Sequence, residues 1–129
     1  MTKEICIIDD DTIYQFLMRK IMLGTEVKTT AISYKNGKDA IESFTSSLLN
    51  HIKLPDIILL DIEMPFMNGW DFMNQMELLL DNYKITSTEI YIVSSSISYE
   101  DIEKAKLFKN ISGYFSKPIS VKDLNKIIQ

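Results

Sequence analysis

The sequence predicts an α/β domain, a doubly wound parallel sheet of five strands with helices on both faces. Three observations lead there. Five segments read as buried strands, at 3–8, 27–34, 56–60, 90–93 and 112–116, the first two rich in β-branched residues. The segments between them carry apolar residues at helical spacing over about 10–15 residues, the alternation expected of βαβ units. Right-handed crossovers then place helices on both faces of a parallel sheet. The 129 residues fit one domain, spanning 1–129, and show no linker, repeat or low-complexity tract.

Residues 3–8 stop at Asp9, Asp10 and Asp11, as a buried strand does when it reaches the ligand edge of such a sheet. Asp11 and Thr12 offer capping oxygens, and Ile13, Phe16, Leu17, Ile21 and Met22 recur at helical spacing until Gly24. Residues 27–34 form the second strand and lead to the turn signal Asn36-Gly37. Ala40, Ile41, Phe44, Leu48 and Leu49 then mark the second helix, and Pro55 closes the connection. His51 falls in this polar connection and is expected at the surface, because a lone histidine lacks the partners of a zinc site. Residues 56–60 are the most hydrophobic strand, followed by a helical pattern over 70–80, the strand 90–93 and a helical pattern over 99–108. The last strand, 112–116, carries Tyr114, expected half-buried with its phenol partnered at the edge. Residues 121–129 have room only for a short helix.

Composition excludes several classes of function. The formal net charge of −4 disfavours nucleic acid, whose backbone needs clustered Lys and Arg. No apolar run approaches the roughly 18–20 residues needed to span a bilayer, so membrane insertion is not expected. The single cysteine, Cys6, cannot form an internal disulfide, and MTKEICIID has no signal-peptide pattern; the expectation is a reducing, cytoplasmic setting.

In a parallel sheet the carboxyl ends of all strands open on one edge, so Asp9, Asp10, Asp61, Ser94 and Lys117 are expected to converge. Each has an ordinary alternative. Asp9 and Asp10 also suit a strand end that caps the following helix, and Lys117-Pro118 also suits a loop. Ser95 and Ser96 suit a helix cap or polar loop, whereas Ser94 directly follows the apolar run. Three like charges at one edge repel unless a cation compensates them. Oxygen-only donors with room for water favour magnesium. In the segment DIEMPFMNGW, Met64-Pro65 enforces an extended or turning loop after the strand, which keeps Asp61 at the rim, and Asn68-Gly69 supplies a second turn.

Taken together, IIDDD, DIEMPFMNGW, IVSS and GYFSKP resemble the receiver domain of bacterial two-component response regulators, in its stand-alone, chemotaxis-regulator-like form, over essentially the whole chain. The resemblance implies the flavodoxin-like receiver topology. It implies that Asp61 accepts a phosphoryl group from a histidine kinase, with Asp10 and Asp61 ligating Mg2+, Asp9 helping through water and the backbone carbonyl of Glu63 as a further ligand. Lys117 and Ser94 would contact the phosphoryl oxygens, and Tyr114 would be the aromatic that changes rotamer on activation. The implied role is that of a phosphorelay switch whose catalysis is confined to its own phosphorylation and dephosphorylation. Its partners would be a sensor histidine kinase and either a histidine phosphotransfer protein or a downstream effector. Serine at 94 and at 95 departs from the commoner threonine and small residue, which bears on switch coupling rather than on the chemistry. A chain ending at Gln129 is expected to be a stand-alone receiver or part of a longer regulator. Two rival readings are an aspartate-dependent phosphohydrolase, for which Glu63 has the right spacing but no cap or substrate pocket follows, and an interaction module with a vestigial acidic pocket.

Overall fold

The computed structural model describes residues 2–129. The strands are Thr2–Ile8 (β1), Lys28–Tyr34 (β2), Ile57–Leu60 (β3), Glu89–Ser94 (β4) and Ile111–Ser116 (β5). The helices are Thr12–Met22 (α1), Gly37–Leu49 (α2), Gly69–Asn82 (α3), Tyr99–Ala105 (α4) and Val121–Ile128 (α5). All pairings are parallel and the sheet runs β2-β1-β3-β4-β5, so the expected doubly wound fold is present. From β1 the chain passes to β2 on one side, then crosses to β3 on the other. The crevice of such a sheet lies at this reversal, beyond the carboxyl ends of β1 and β3.

Side-chain alternation in β1 serves two cores. Ile5 and Ile7 pack with Tyr14, Met18, Leu124 and Ile127 of α1 and α5. Cys6 and Ile8 face Ala40, Phe44, Phe72 and Met76 of α2 and α3, with Ala105 of α4. A strand apolar on both faces is what a sheet covered on both sides requires. Each fully buried isoleucine contributes about 1.5–3 kcal/mol, so the central strand is anchored firmly on either side of its functional end. Register brings Ile8 level with Tyr34 and Leu60, Leu60 level with Ile92, and Ser94 level with Ser116. The residues that follow β1, β3 and β5 therefore line one edge.

Every helix starts at a capping side chain: Asp11, Asn36, Asn68, Ser98 and Ser120 each accept a backbone N–H from the first turn. Such a cap is worth about 1 kcal/mol. Two elements depart from the periodicity reading. In α1 the buried face is Tyr14, Gln15, Met18 and Met22, while Ile13, Phe16 and Leu17 point outward, at 80%, 62% and 41% exposure. Both sets have helical spacing; the second, with Tyr14, Met18 and Met22, is buried in the core, and the Gln15 amide on that face donates to the carbonyls of Ile7 and Asp9 at 3.1 Å each. Helix α4 ends at Ala105, because the chain turns there and lets Phe108 stack on Trp70 at 5.8 Å between ring centroids. His51 is exposed, with φ 58°, in the turn after α2, as a residue ending a helix.

Candidate functional site

Backbone pairing fixes the two inner carboxylates. The Asp9 N–H donates to Tyr34 O and the Asp61 N–H to Ile8 O, both at 3.0 Å, so each residue is seated as the last rung of its ladder. Asp9 is 2% exposed and Asp61 5%, whereas Asp10 lies on the exposed rim. Asp9 Oδ1 accepts the Asp11 N–H at 2.9 Å, and Asp61 Oδ1 accepts the Glu63 N–H at 3.1 Å. One carboxylate oxygen from each of Asp9, Asp10 and Asp61 falls within 4.8 Å of the others. These all-oxygen donors fit a hard divalent cation of the magnesium type, which binds through one or two carboxylates and keeps waters and phosphate oxygens in its remaining positions.

Lys117 enters from the end of β5, which β3 and β4 separate from β1, and its long side chain spans the gap. Its backbone N–H donates to Ser94 O at 2.9 Å, and its peptide bond to Pro118 is cis. The ammonium lies 2.5 Å from Asp9 Oδ2 and 3.3 Å from Asp61 Oδ2. Burial by itself would depress this lysine, but the hydrogen bond to Asp9 and the charges of Asp9 and Asp61 hold it above its ordinary value. Asp61 is raised above the usual carboxylate value because burial, with the Asp9 charge added, outweighs the Glu63 N–H and Lys117. Asp61 is thus a desolvated carboxylate whose charge is only partly compensated.

Ser94 is fully buried at the end of β4, and its Oγ accepts only a long contact from the Ser96 N–H, 3.4 Å. Glu63 is exposed between the buried Ile62 and Met64. Tyr114 is not in the core, as its place in the strand suggested: β5 is an edge strand, and the ring sits at the surface, 45% exposed. It borders a cleft of about 150 Å³ shared with Ile102, Ala105 and Lys106. The structure therefore brings Asp9, Asp10, Asp61 and Lys117 together, puts Ser94 at the adjoining strand end, and leaves Tyr114 on the outer surface.

The loop from Asp61 to Gly69 is shaped by two residues. Phe66 adopts a left-handed backbone, φ 67°, with its ring 96% exposed. Gly69 is no turn residue: it opens α3, its N–H donates to Ile62 O at 3.0 Å, and a Cβ there would lie 2.7 Å from Ile62 Cα. Asn68-Gly69 is therefore a helix cap followed by a close backbone approach. Sequence reasoning also missed Gln15 and Tyr14, which reach the pocket from the first turns of α1. The available signal was the second periodic set in that helix, Tyr14, Met18 and Met22, directly after the aspartates.

Among known proteins, the response regulator receiver domain family matches residues 5–129. Chemotaxis protein CheY of Thermotoga maritima is 29% identical over 133 aligned positions, covering 98% of both chains. The autoinducer 1 sensor kinase/phosphatase LuxN of Vibrio harveyi is 27% identical over 124 residues; that stretch is 96% of this chain and only 13% of LuxN. The crystal structure of a two-component response regulator from Cytophaga hutchinsonii superposes with a TM-score of 0.88 at 28% identity, covering 99% of this chain and 96% of the other. Receiver domains generally bind Mg2+ at an acidic pocket, and the Asp9, Asp10 and Asp61 cluster is the corresponding feature here. Among the described residues no helix is long and apolar enough to cross a membrane. With the fold, the strand-end pocket and the family match in agreement, the chain belongs to the response regulator receiver domain family, the phosphoacceptors of two-component signalling.

Proposed function

We propose that Asp61 accepts a phosphoryl group from a sensor histidine kinase and that the acyl phosphate switches a partner-binding surface. The observation that carries this reading is the shared environment of Asp61: oxygens of Asp9 and Asp10 within 4.8 Å, and the Lys117 ammonium at 3.3 Å. Asp61 Oδ2 attacks phosphorus in line while the phosphorus–nitrogen bond to the donor histidine breaks, leaving the electron pair on the imidazole. Lys117 turns towards a phosphoryl oxygen and offsets the charge that develops there. Chemistry of this kind is mainly positioning and electrostatics, so a small pocket suffices.

Asp10 and Asp61, with the backbone carbonyl of Glu63, would hold Mg2+ directly. Asp9 would act through water, since its two oxygens already serve Lys117 and the Asp11 N–H. The ion would supply further charge neutralisation and fix the orientation of the phosphoryl oxygens. Ser94 would donate its hydroxyl proton to one of those oxygens, and Tyr114 would follow by moving inward. Catalysis is confined to the protein's own phosphorylation and dephosphorylation. The output partner is a histidine phosphotransfer protein or a downstream effector.

The deciding experiment is incubation with acetyl phosphate and Mg2+ followed by intact mass. One added phosphoryl group, absent in Asp61→Asn and absent under chelation, is the expected result. Equal labelling of Asp61→Asn at the same rate would remove the assignment.

A further inference from the structure

Lys117 has a neighbour that the acidic pocket does not account for. Its ammonium lies 4.4 Å from the centroid of the Tyr14 ring, on the first turn of α1. Tyr14 is 8% exposed and packs in the core with Met18, Val93 and Ile119. Its buried hydroxyl has at most a poorly aligned approach from the Ile119 backbone N–H and no well-formed hydrogen bond. A buried tyrosine ordinarily partners its hydroxyl, because an unmet polar group in the interior is destabilising. Here the pocket uses the face of the ring instead of the hydroxyl. Burial and the nearby Asp9 charge hold that phenol protonated, so it competes for no cation as a phenolate.

The geometry points to Tyr14 as a positioning residue of phosphoryl transfer: its ring holds the Lys117 ammonium over the pocket without occupying an oxygen acceptor. The inference rests on Asp61 being the acceptor. In the resting protein the ammonium is drawn to Asp9 at 2.5 Å and must keep an N–H free for an incoming phosphoryl oxygen. Carboxylates alone fix it through directional hydrogen bonds. An aromatic face attracts the cation through its quadrupole and imposes no such direction. The ammonium can thus pivot from Asp61 to the phosphoryl group while its position above the pocket is kept. A leucine at 14 would fill apolar space but supply no quadrupole. Bond changes involve other atoms: with acetyl phosphate as donor, an Asp61 oxygen bonds phosphorus and acetate leaves with the electron pair.

The test compares the rate of modification by acetyl phosphate and Mg2+ in the full chain for wild type, Tyr14→Phe and Tyr14→Leu, each also in a Lys117→Met background. Tyr14→Phe keeps the ring and is expected to react within about twofold of wild type. Tyr14→Leu is expected to react about 2- to 30-fold more slowly, the span of a cation–π contact. In the Lys117→Met background Tyr14→Leu should change little, since the ring then has no cation to hold. Equal slowing in both backgrounds, or no slowing at all, overturns the inference. Tyr14→Met, with a flexible apolar side chain, replaces the leucine variant if that one does not fold, with the same expectations. A readout independent of activity is the ring-current shift of the Lys117 side-chain resonances in metal-free protein, present in wild type and Tyr14→Phe and lost in Tyr14→Leu; its absence from wild type also overturns the inference. If wild type takes no phosphoryl group, the acceptor reading falls and this inference with it. If wild type reacts and Tyr14→Leu matches it, only this inference falls.

Discussion

The Lys117 ammonium stands closer to Asp9, at 2.5 Å, than to Asp61, at 3.3 Å. The carboxylate that grips the lysine is therefore not the one assigned to react. Asp61 is left with a weaker contact to the cation, while Asp9 carries the structural half of the pair. That division gives the acidic residues different expected responses to substitution.

Asp9→Ala removes the tighter partner of a lysine whose side chain is only 15% exposed. Breaking a buried pair typically destabilises by about 3–5 kcal/mol when one charge is stranded. Asp61 remains to receive Lys117, so about 1–3 kcal/mol is expected in metal-free buffer. Phosphorylation should slow as well, because the lysine then settles on the nucleophile. Asp10→Ala, at the exposed rim, should leave metal-free stability equal or higher and weaken Mg2+ binding more than Asp9→Ala does. Urea melts under chelation and Mg2+ titrations followed by Trp70 fluorescence check both, and an Asp9→Ala variant as stable as wild type would refute the division of roles.

Asp61 makes a pH-dependent contribution whose sign follows from its raised value. Burial, then the Asp9 charge, lift its folded-state pKa above the 3.8 of the unfolded chain. The folded state thus binds the proton more tightly, and the stability this confers is fully present below 3.8 and lost as pH rises through the folded value. At neutral pH without metal the ionised Asp61 is destabilising. Asp61→Asn should therefore melt higher than wild type at pH 7 under chelation, with the gain shrinking as pH falls towards 3.8. Mg2+ should stabilise wild type and leave the asparagine variant nearly unchanged. A thermal-melt series across pH, with and without Mg2+, measures both effects.

The parts of this site that were legible in the sequence are those set by strand ends. Apolar runs stopping at Asp9, Asp61 and Lys117 locate residues on one edge because a parallel sheet allows no other arrangement. The parts that were not legible depend on rotation and approach. Helix α1 carries two apolar stripes, and composition does not say which is buried; the buried one is the face that also seats the Gln15 amide on the carbonyls of Ile7 and Asp9. With that rotation came Tyr14, invisible as a site residue until the helix was oriented. Tyr114 follows the same pattern: its place inside a strand suggested a core position, but on an edge strand its ring is 45% exposed at the surface. Gly69 looked like a turn glycine from Asn68-Gly69, and only the backbone contact with Ile62 reveals its reason.

Gly69→Ala should be among the most damaging single-methyl additions in the chain. The new Cβ would meet Ile62 Cα at 2.7 Å and Asp61 O at 3.0 Å, both main-chain atoms at the start of the loop after β3. Overpacking of this kind destabilises by about 1–3 kcal/mol, and here relaxation displaces Asp61 itself. Phosphorylation should slow beyond what the loss of folded population explains. Gly37→Ala is the milder comparison, since its Cβ meets side-chain atoms only, Met67 Sδ at 3.1 Å and Phe72 Cβ at 3.2 Å, and an alanine favours the helix it opens. Urea denaturation paired with acetyl phosphate kinetics would show the contrast, and equal effects of the two substitutions would argue against backbone contact as the cause.

Ser94 and Tyr114 are expected to separate phosphorylation from its readout. A phosphoryl group on a residue only 5% exposed is hard for a partner to touch, so the signal must pass through an element with two arrangements. Ser94 is fully buried and its hydroxyl is engaged only by the Ser96 N–H at 3.4 Å, which leaves its proton free to donate to the phosphoryl. Moving towards Asp61 vacates volume at the end of β4, beside β5. Tyr114 stands on that strand, outward and 45% exposed, next to a cleft of about 150 Å³ under α4. An inward turn of the ring would bury apolar surface and alter the face formed by α4 and β5. Ser94→Ala should therefore leave Asp61 labelling within a few-fold of wild type while weakening the phosphorylation-dependent change around Tyr114. Chemical-shift mapping with and without beryllofluoride measures the change, and a full-sized Tyr114 response in Ser94→Ala would show that the serine does not carry the coupling.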